Sequence, residues 1–142
     1  MKLGIIDLET GNIASLIAAI QKLNLQFKIC RSQFDFENTD KLILPGVGAF
    51  KDFMKKIKSN KIDLLLKNKI DKNISILGVC VGFQVLFEKS NEFGENKGLS
   101  FLDGEIKSFK DYSKITKVPH VGWNECQIIN KNKLFEGIEN NS

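Results

Sequence analysis

The chain is poor in the residues that staple or metallate small proteins. It has three cysteines, and no two of them form a Cys-x-x-Cys pair, which excludes a disulfide framework and a cysteine-based zinc site. It has one histidine, His120, and no cluster of histidine, cysteine and carboxylate residues at ligand spacing, so neither a metal nor a cofactor is expected. No apolar stretch approaches the roughly 20 residues that cross a bilayer. Met1-Lys2 runs directly into strand-like sequence, without the pattern of a signal peptide. An odd number of free thiols fits a reducing compartment, and the expectation is a soluble cytoplasmic protein. Charge of one sign is also scarce, with a net of +4. The lysines at Lys55, Lys56, Lys58, Lys61, Lys67, Lys69 and Lys72 are interleaved with acids and apolar residues, which suits a solvated helix face. Aromatic platforms and clustered base-reading cations are missing, so no nucleic-acid partner is expected.

What is present suffices for one core. A chain of 142 residues with 42% hydrophobic content is expected to form a single domain, 1–142. Leu3 to Leu8 is an apolar run closed by the turn-forming cluster Glu9-Thr10-Gly11-Asn12. Ile13, Leu16, Ile17, Ile20 and Leu23 then repeat at helical spacing, with Asn12 as the expected N-cap. Gln26 to Cys30 and Lys41 to Leu44 read as further strands. Phe50 to Ile57 and Ile62 to Ile70 read as one or two helices divided near Asn60. This alternation predicts an α/β fold, an open and mostly parallel sheet with helices on both faces. Beyond Glu88 the texture changes. Lys89 to Lys97 reads as a polar loop, with Glu92 and Glu95 solvated, and Gly104 to Phe109 and Glu125 to Ile129 as partly exposed strands.

The stretch Ile74 to Gln84 organises the rest. An apolar run ending in Gly78-Val79-Cys80-Val81-Gly82 suits a buried parallel strand that turns sharply into a helix carrying Phe83, Leu86 and Phe87. A glycine on each side of one reactive residue is the device with which serine hydrolases expose a nucleophile above a sheet. At a helix N-terminus a thiol gains the partial positive charge that favours its nucleophilic form. These five residues also fit a structural cysteine between two packing glycines, and both readings stay open on the spacing alone. Pro45-Gly46-Val47-Gly48-Ala49-Phe50 lies between a strand and a helix but is neither a dinucleotide fingerprint nor a P-loop. Paired with the elbow, its backbone is a candidate for oxyanion donation from the Val47–Gly48 peptide, beside a second donor at Val81.

Pro-Gly-Val-Gly-Ala-Phe at 45–50, Gly-x-Cys-x-Gly-x-Gln at 78–84 and Pro-His-x-Gly-Trp-Asn at 119–124 together resemble the class I glutamine amidotransferases. Within that class they resemble most the glutaminase subunits of imidazole glycerol phosphate synthase, over Leu3 to about Ile138. The resemblance implies a flavodoxin-like sheet, glutamine as substrate and Cys80 as the nucleophile that forms a glutamyl thioester and frees ammonia. It further implies substrate binding by Gln84 and an oxyanion region at Val47, Gly48 and Val81. A face at Asn12, Pro119, His120, Gly122, Trp123 and Asn124 would meet a cyclase partner, a (β/α)₈ barrel that receives the ammonia. Cys30 and Cys126 are expected to be buried or inert. Trp123 is open to two readings, a contact anchor or packing on the sheet.

Two departures accompany the resemblance. The family carries its catalytic histidine and glutamate in a His-Pro-Glu motif nearer the C-terminus, and these 142 residues contain none. His120 belongs to the Pro119–Asn124 segment and is not read as the general base. The chain is therefore expected to be about the N-terminal two-thirds of the domain, its sheet incomplete at the C-terminus and its glutaminase activity small. The family's Asp-Tyr-Gly-x-Gly-Asn loop is replaced by Asp7-Leu8-Glu9-Thr10-Gly11-Asn12. That change keeps open an amidotransferase subunit that builds amidine groups on a bacterial surface sugar. A non-catalytic partner-binding remnant and a cysteine hydrolase or chaperone of related fold are the remaining alternatives.

Overall fold

The computed structural model describes residues 1–11, 13–111, 122–130 and 132–140. They fall into two compact units, Met1–Ser108 and Phe109–Ser142. The first unit is built on four strands, β1 (Leu3–Ile6), β2 (Phe27–Cys30), β3 (Lys41–Gly46) and β4 (Ser75–Cys80), all parallel and ordered β2-β1-β3-β4. Between them run α1 (Ala14–Lys22), α2 (Phe50–Ser59) and α3 (Ile62–Asp71). The expected α/β alternation is therefore present, and the doubtful segment at 50–70 resolves into two helices.

Alternation along the strands places helices on both faces of the sheet. Leu3, Ile5 and Ile43 point to one face and pack with Leu16, Ile17 and Ile20 of α1. Ile6, Leu42 and Leu44 point to the other, against Phe50, Phe53, Met54 and Ile57 of α2 and Ile62 and Leu66 of α3. Positions 50, 53, 54 and 57 lie on one helical stripe, and all four are buried. Each such side chain contributes roughly 1.5–3 kcal/mol of burial, and that packing is what holds α2 on the sheet.

Several expectations are corrected. Helix α1 is capped by the backbone of Ile13, with no side-chain cap bond, and Asn12 lies outside the described residues. β4 is not a fully buried strand: among the described residues it pairs only with β3, and Leu77 and Val79 are exposed. The helix after the elbow, α4, spans only Val81–Gln84. Its continuation is pre-empted because the carbonyl of Val85 accepts from Leu99 N–H at 2.9 Å and that of Leu86 from Phe101 N–H at 2.8 Å. Phe87 instead opens β5 (Phe87–Ser90), which pairs with β6 (Asn96–Lys97) antiparallel and with β7 (Leu102–Ile106) parallel. The polar segment 89–97, expected as a loop, thus supplies strand residues at both of its ends.

In the second unit the expected strand at Glu125–Ile129 does not form. Described residues 122–130 have no regular structure and are mostly exposed. Cys126, expected buried or inert, is exposed, and Trp123 is fully exposed within this unit. A 3₁₀ turn at Lys133–Phe135 is capped by Asn132, whose side-chain oxygen accepts from Leu134 N–H at 2.8 Å.

Candidate active site

The order β2-β1-β3-β4 makes the chain leave β1 and β3 in opposite directions, and in open α/β sheets ligands bind beyond the carboxyl ends of strands at such a switch. The turns after β1, β3 and β4 meet there. Register makes Gly46 the partner of Cys80, the last residues of β3 and β4, so Val47 and Gly48 continue beside the thiol-bearing elbow. Val47 is exposed, and Gly48 has φ +111°, a conformation glycine accepts without strain.

Cys80 itself is exposed and adopts φ 56°, ψ −124°, a backbone state that a residue with a Cβ rarely takes. The packing around it forces that state. A Cβ at Gly82 would overlap the carbonyl oxygen of Leu44, and one at Gly78 would stand 2.5 Å from Phe83 Cα. The first turn of α4 is thus laid directly on the backbones of β3 and β4, and the chain must bend within Cys80 to get there. Val81 is buried behind the thiol, and Gln84, half-buried, sits one turn on. Because α4 is a single turn, any help it gives to an anion comes from its first N–H groups and not from a long helix dipole.

Cys80, Val81, Gln84, Val47 and Gly48 therefore converge on one end of the sheet. Asn12, Pro119 and His120 lie outside the described residues. Gly122, Trp123 and Asn124 belong to the second unit.

The structure adds contacts that the sequence did not suggest. Glu92, read as solvated, is half-buried, and its Oε2 accepts from Phe50 N–H at 2.9 Å, at the start of α2. The available signal was a missing one: Ala49 is the N-cap of α2 and has no side-chain oxygen, so an acceptor had to arrive from elsewhere. Glu95, by contrast, is exposed, as read, and lies 3.9 Å from Lys89 Nζ. Asp7, buried at the end of β1, pairs with Arg31 at 2.8 Å and accepts from Glu9 N–H at 2.9 Å. Lys56 Nζ donates to the carbonyls of Leu8 (3.2 Å) and Glu9 (2.9 Å), and Gly11 lies directly against the side chain of Val47. The β1 turn is thereby tied to α2 and to the loop after β3.

A parallel sheet with a cysteine elbow beside a Gly-x-Gly turn defines a class of acyl-transfer folds, and comparison with known proteins gives the family. The chain belongs to the family described as glutamine amidotransferase class-I, which matches residues 4–142. It is 37% identical over 141 residues to the imidazole glycerol phosphate synthase subunit HisH 1 of Campylobacter jejuni strain 81-176, covering 99% of this chain and 70% of that protein. It is 40% identical over 139 residues to the HisH subunit of Oceanobacillus iheyensis, covering 97% and 68%, and 39% identical to that of Sulfurimonas denitrificans, covering 96% and 67%. A crystal structure of a glutamine amidotransferase superposes with a TM-score of 0.64 over 74% of this chain and 55% of that one. At 21% identity that likeness bears on the fold alone.

Proposed function

We propose that this chain carries the nucleophile-bearing part of a glutaminase that supplies ammonia to a synthase partner. The observation that carries the reading is the pairing of Gly46 with Cys80, which sets an exposed, conformationally strained thiol beside the Val47–Gly48 peptide. In the proposed reaction the Cys80 thiolate attacks the side-chain carboxamide carbon of glutamine. Backbone N–H groups of Val81 and the Val47–Gly48 peptide hold the oxyanion, and Gln84 contributes to holding the substrate. The C–N bond then breaks, the nitrogen leaves as ammonia after protonation by a general acid, and the glutamyl thioester is hydrolysed to glutamate with return of the thiolate.

The similarity to synthase subunits supports a barrel-shaped cyclase partner that makes imidazole glycerol phosphate, in histidine biosynthesis. Gly122, Trp123 and Asn124, together with Asn12, Pro119 and His120, are the residues proposed to face it. Glu9 in the β1 turn supports a second acceptor, a surface-sugar amidotransferase pathway, since that turn is where this chain departs from the family pattern. Co-purification of one barrel protein or the other separates the two.

The only histidine of these 142 residues is His120, in the proposed partner face. The polypeptide on its own is therefore proposed to turn over glutamine slowly, since loss of a general acid–base costs about 10²–10⁴-fold. The test uses binding chemistry instead of turnover. L-Glutamine is expected to protect Cys80 from alkylation by iodoacetamide while leaving Cys126 as reactive as before. Equal alkylation of Cys80 with and without glutamine overturns the reading.

A further inference from the structure

Beside β2, the edge strand farthest from β4, an open groove of about 740 Å³ runs between α3 and the 3₁₀ turn at Gln33–Phe36. Its Lys69 end lies away from the elbow: the carbonyl of Lys69 accepts from Ile74 N–H just before β4 begins, whereas Cys80 ends that strand, roughly 20 Å further along at 3.3 Å per residue. The buried ring of Phe36 lies at its base. One wall is a single stripe of α3 and its flanks, at helical spacing, carrying Lys61, Asn68, Lys69 and Lys72.

The charges in this groove differ from those around it. Lys58 is matched with Asp63, and Lys67, on another side of α3, with Asp71. Among the described residues, Lys61, Lys69 and Lys72 have no carboxylate within ion-pair distance, and Glu37 is the single acid among the lining residues. Lys69 is held below the usual lysine range, first by burial and then by the ammonium of Lys72, with Cys30 and the Asp40 carboxylate opposing and Lys28 adding a smaller push in the same direction. Two like charges, Lys69 and Lys72, are thus gathered at the C-terminal end of the groove wall, with Lys61 at the other end of α3 and amide side chains between them. Lysine ammonium groups bind phosphate as point charges, and asparagine amides offer both donors and acceptors to a polar ring or sugar. The volume falls within the range of small-molecule pockets, about 300–1,000 Å³.

We propose that this groove binds a phosphorylated small molecule, with its phosphate on Lys69 and Lys72 and its body lying along the α3 wall by Asn68 toward Lys61. The site does not depend on the glutaminase reading, because none of its residues belongs to the elbow.

The probe is AMP, titrated into the 142-residue protein by calorimetry and by amide NMR, with adenosine and inorganic phosphate as separate controls. AMP is expected to saturate and to shift the amides of residues 33–38 and 61–72. Phosphate should bind more weakly, and adenosine should not bind measurably. The double substitution Lys69→Gln with Lys72→Gln should raise the Kd by about tenfold or more, the scale of a lost hydrogen bond to a charged group. Lys67→Gln, outside the groove, should leave it unchanged. Asn68→Asp gives an independent check by adding a negative charge to the same wall, and it should also weaken binding. Equal binding by wild type and the Lys69/Lys72 variant overturns the proposal. So do amide shifts confined to the elbow, or no saturable binding up to about 10 mM, which corresponds to an affinity too weak for a built site.

Discussion

The Glu92 carboxylate accepts a hydrogen bond from the backbone N–H of Phe50 at 2.9 Å, across 42 residues of sequence. It takes the place of the missing side-chain cap at Ala49 and sets a negative charge at the N-terminus of α2, where the helix favours one. Glu92→Ala should therefore lower stability by about 1 kcal/mol, the usual value of an N-cap. Glu92→Gln, which keeps an acceptor, should lose less. Urea unfolding checks both, and an alanine variant as stable as wild type would remove the capping role.

The two glycines that frame the elbow, Gly78 and Gly82, differ from the surface glycines in what surrounds them. Gly82→Ala would drive a methyl group into the Leu44 carbonyl, and backbone cannot swing aside as a flexible side chain can. The cost should exceed the about 1–3 kcal/mol typical of overpacking and should show as loss of soluble, cooperatively melting protein. Gly122→Ala, with nothing within 4 Å of the added carbon, is the matched control and should be silent.

Those glycines also mark what was legible in the sequence. Helical spacing found α1, α2 and α3, and short apolar runs bounded by turn residues found β1, β2 and β3, because both signals are local. The elbow was legible because Gly-x-Cys-x-Gly encodes a steric demand in adjacent residues. The region after Gln84 was not. Phe83, Leu86 and Phe87 carry helical spacing, but the carbonyls of Val85 and Leu86 are claimed by Leu99 and Phe101, partners that no local window contains. Glu92, Arg31 and Lys56 were illegible for the same reason, as each acts on a residue at least 24 positions away.

Glu9 holds a position where the family pattern has glycine, and it has φ 54°. A left-handed backbone costs a residue with a Cβ about 1–2 kcal/mol. Here the turn is held by the Lys56 ammonium on the Leu8 and Glu9 carbonyls and by the Asp7 carboxylate on the Glu9 N–H. Glu9→Gly should thus raise stability by about 0.5–1 kcal/mol after the entropy of the added glycine is subtracted. A loss of stability in thermal melts would show that the Glu9 side chain itself holds the turn.

Cys30 is buried in the core against Leu42 and Phe36, whereas Cys80 and Cys126 are exposed. In native protein two thiols should react with a chromogenic disulfide and the third only after unfolding. Burial pushes the Cys30 thiol above its usual value of 9.0, with Lys28 opposing. The folded state therefore holds its proton where the unfolded chain has released it. The stability Cys30 provides is complete below the unfolded value and is lost as pH rises from there through the folded one. Wild type should lose stability on that alkaline limb faster than Cys30→Val. Parallel alkaline limbs would show that the thiol is hydrated.

The strain at Cys80 gives the last prediction. Its φ of 56° and ψ of −124° persist because Gly78 and Gly82 clamp α4 onto the strands, and such a state costs about 1–3 kcal/mol at a residue with a Cβ. Cys80→Ala keeps the Cβ and so keeps the strain. Cys80→Gly releases it, against roughly 0.5–1 kcal/mol of added freedom in the unfolded chain. The glycine variant should then be more stable than the alanine variant by about 1 kcal/mol, although it has lost more atoms. Both should lose alkylation at this position. If alanine proves equal or better in urea unfolding, the bent backbone is not under strain, and the packing of Gly82 on Leu44 does not dictate how the thiol is presented.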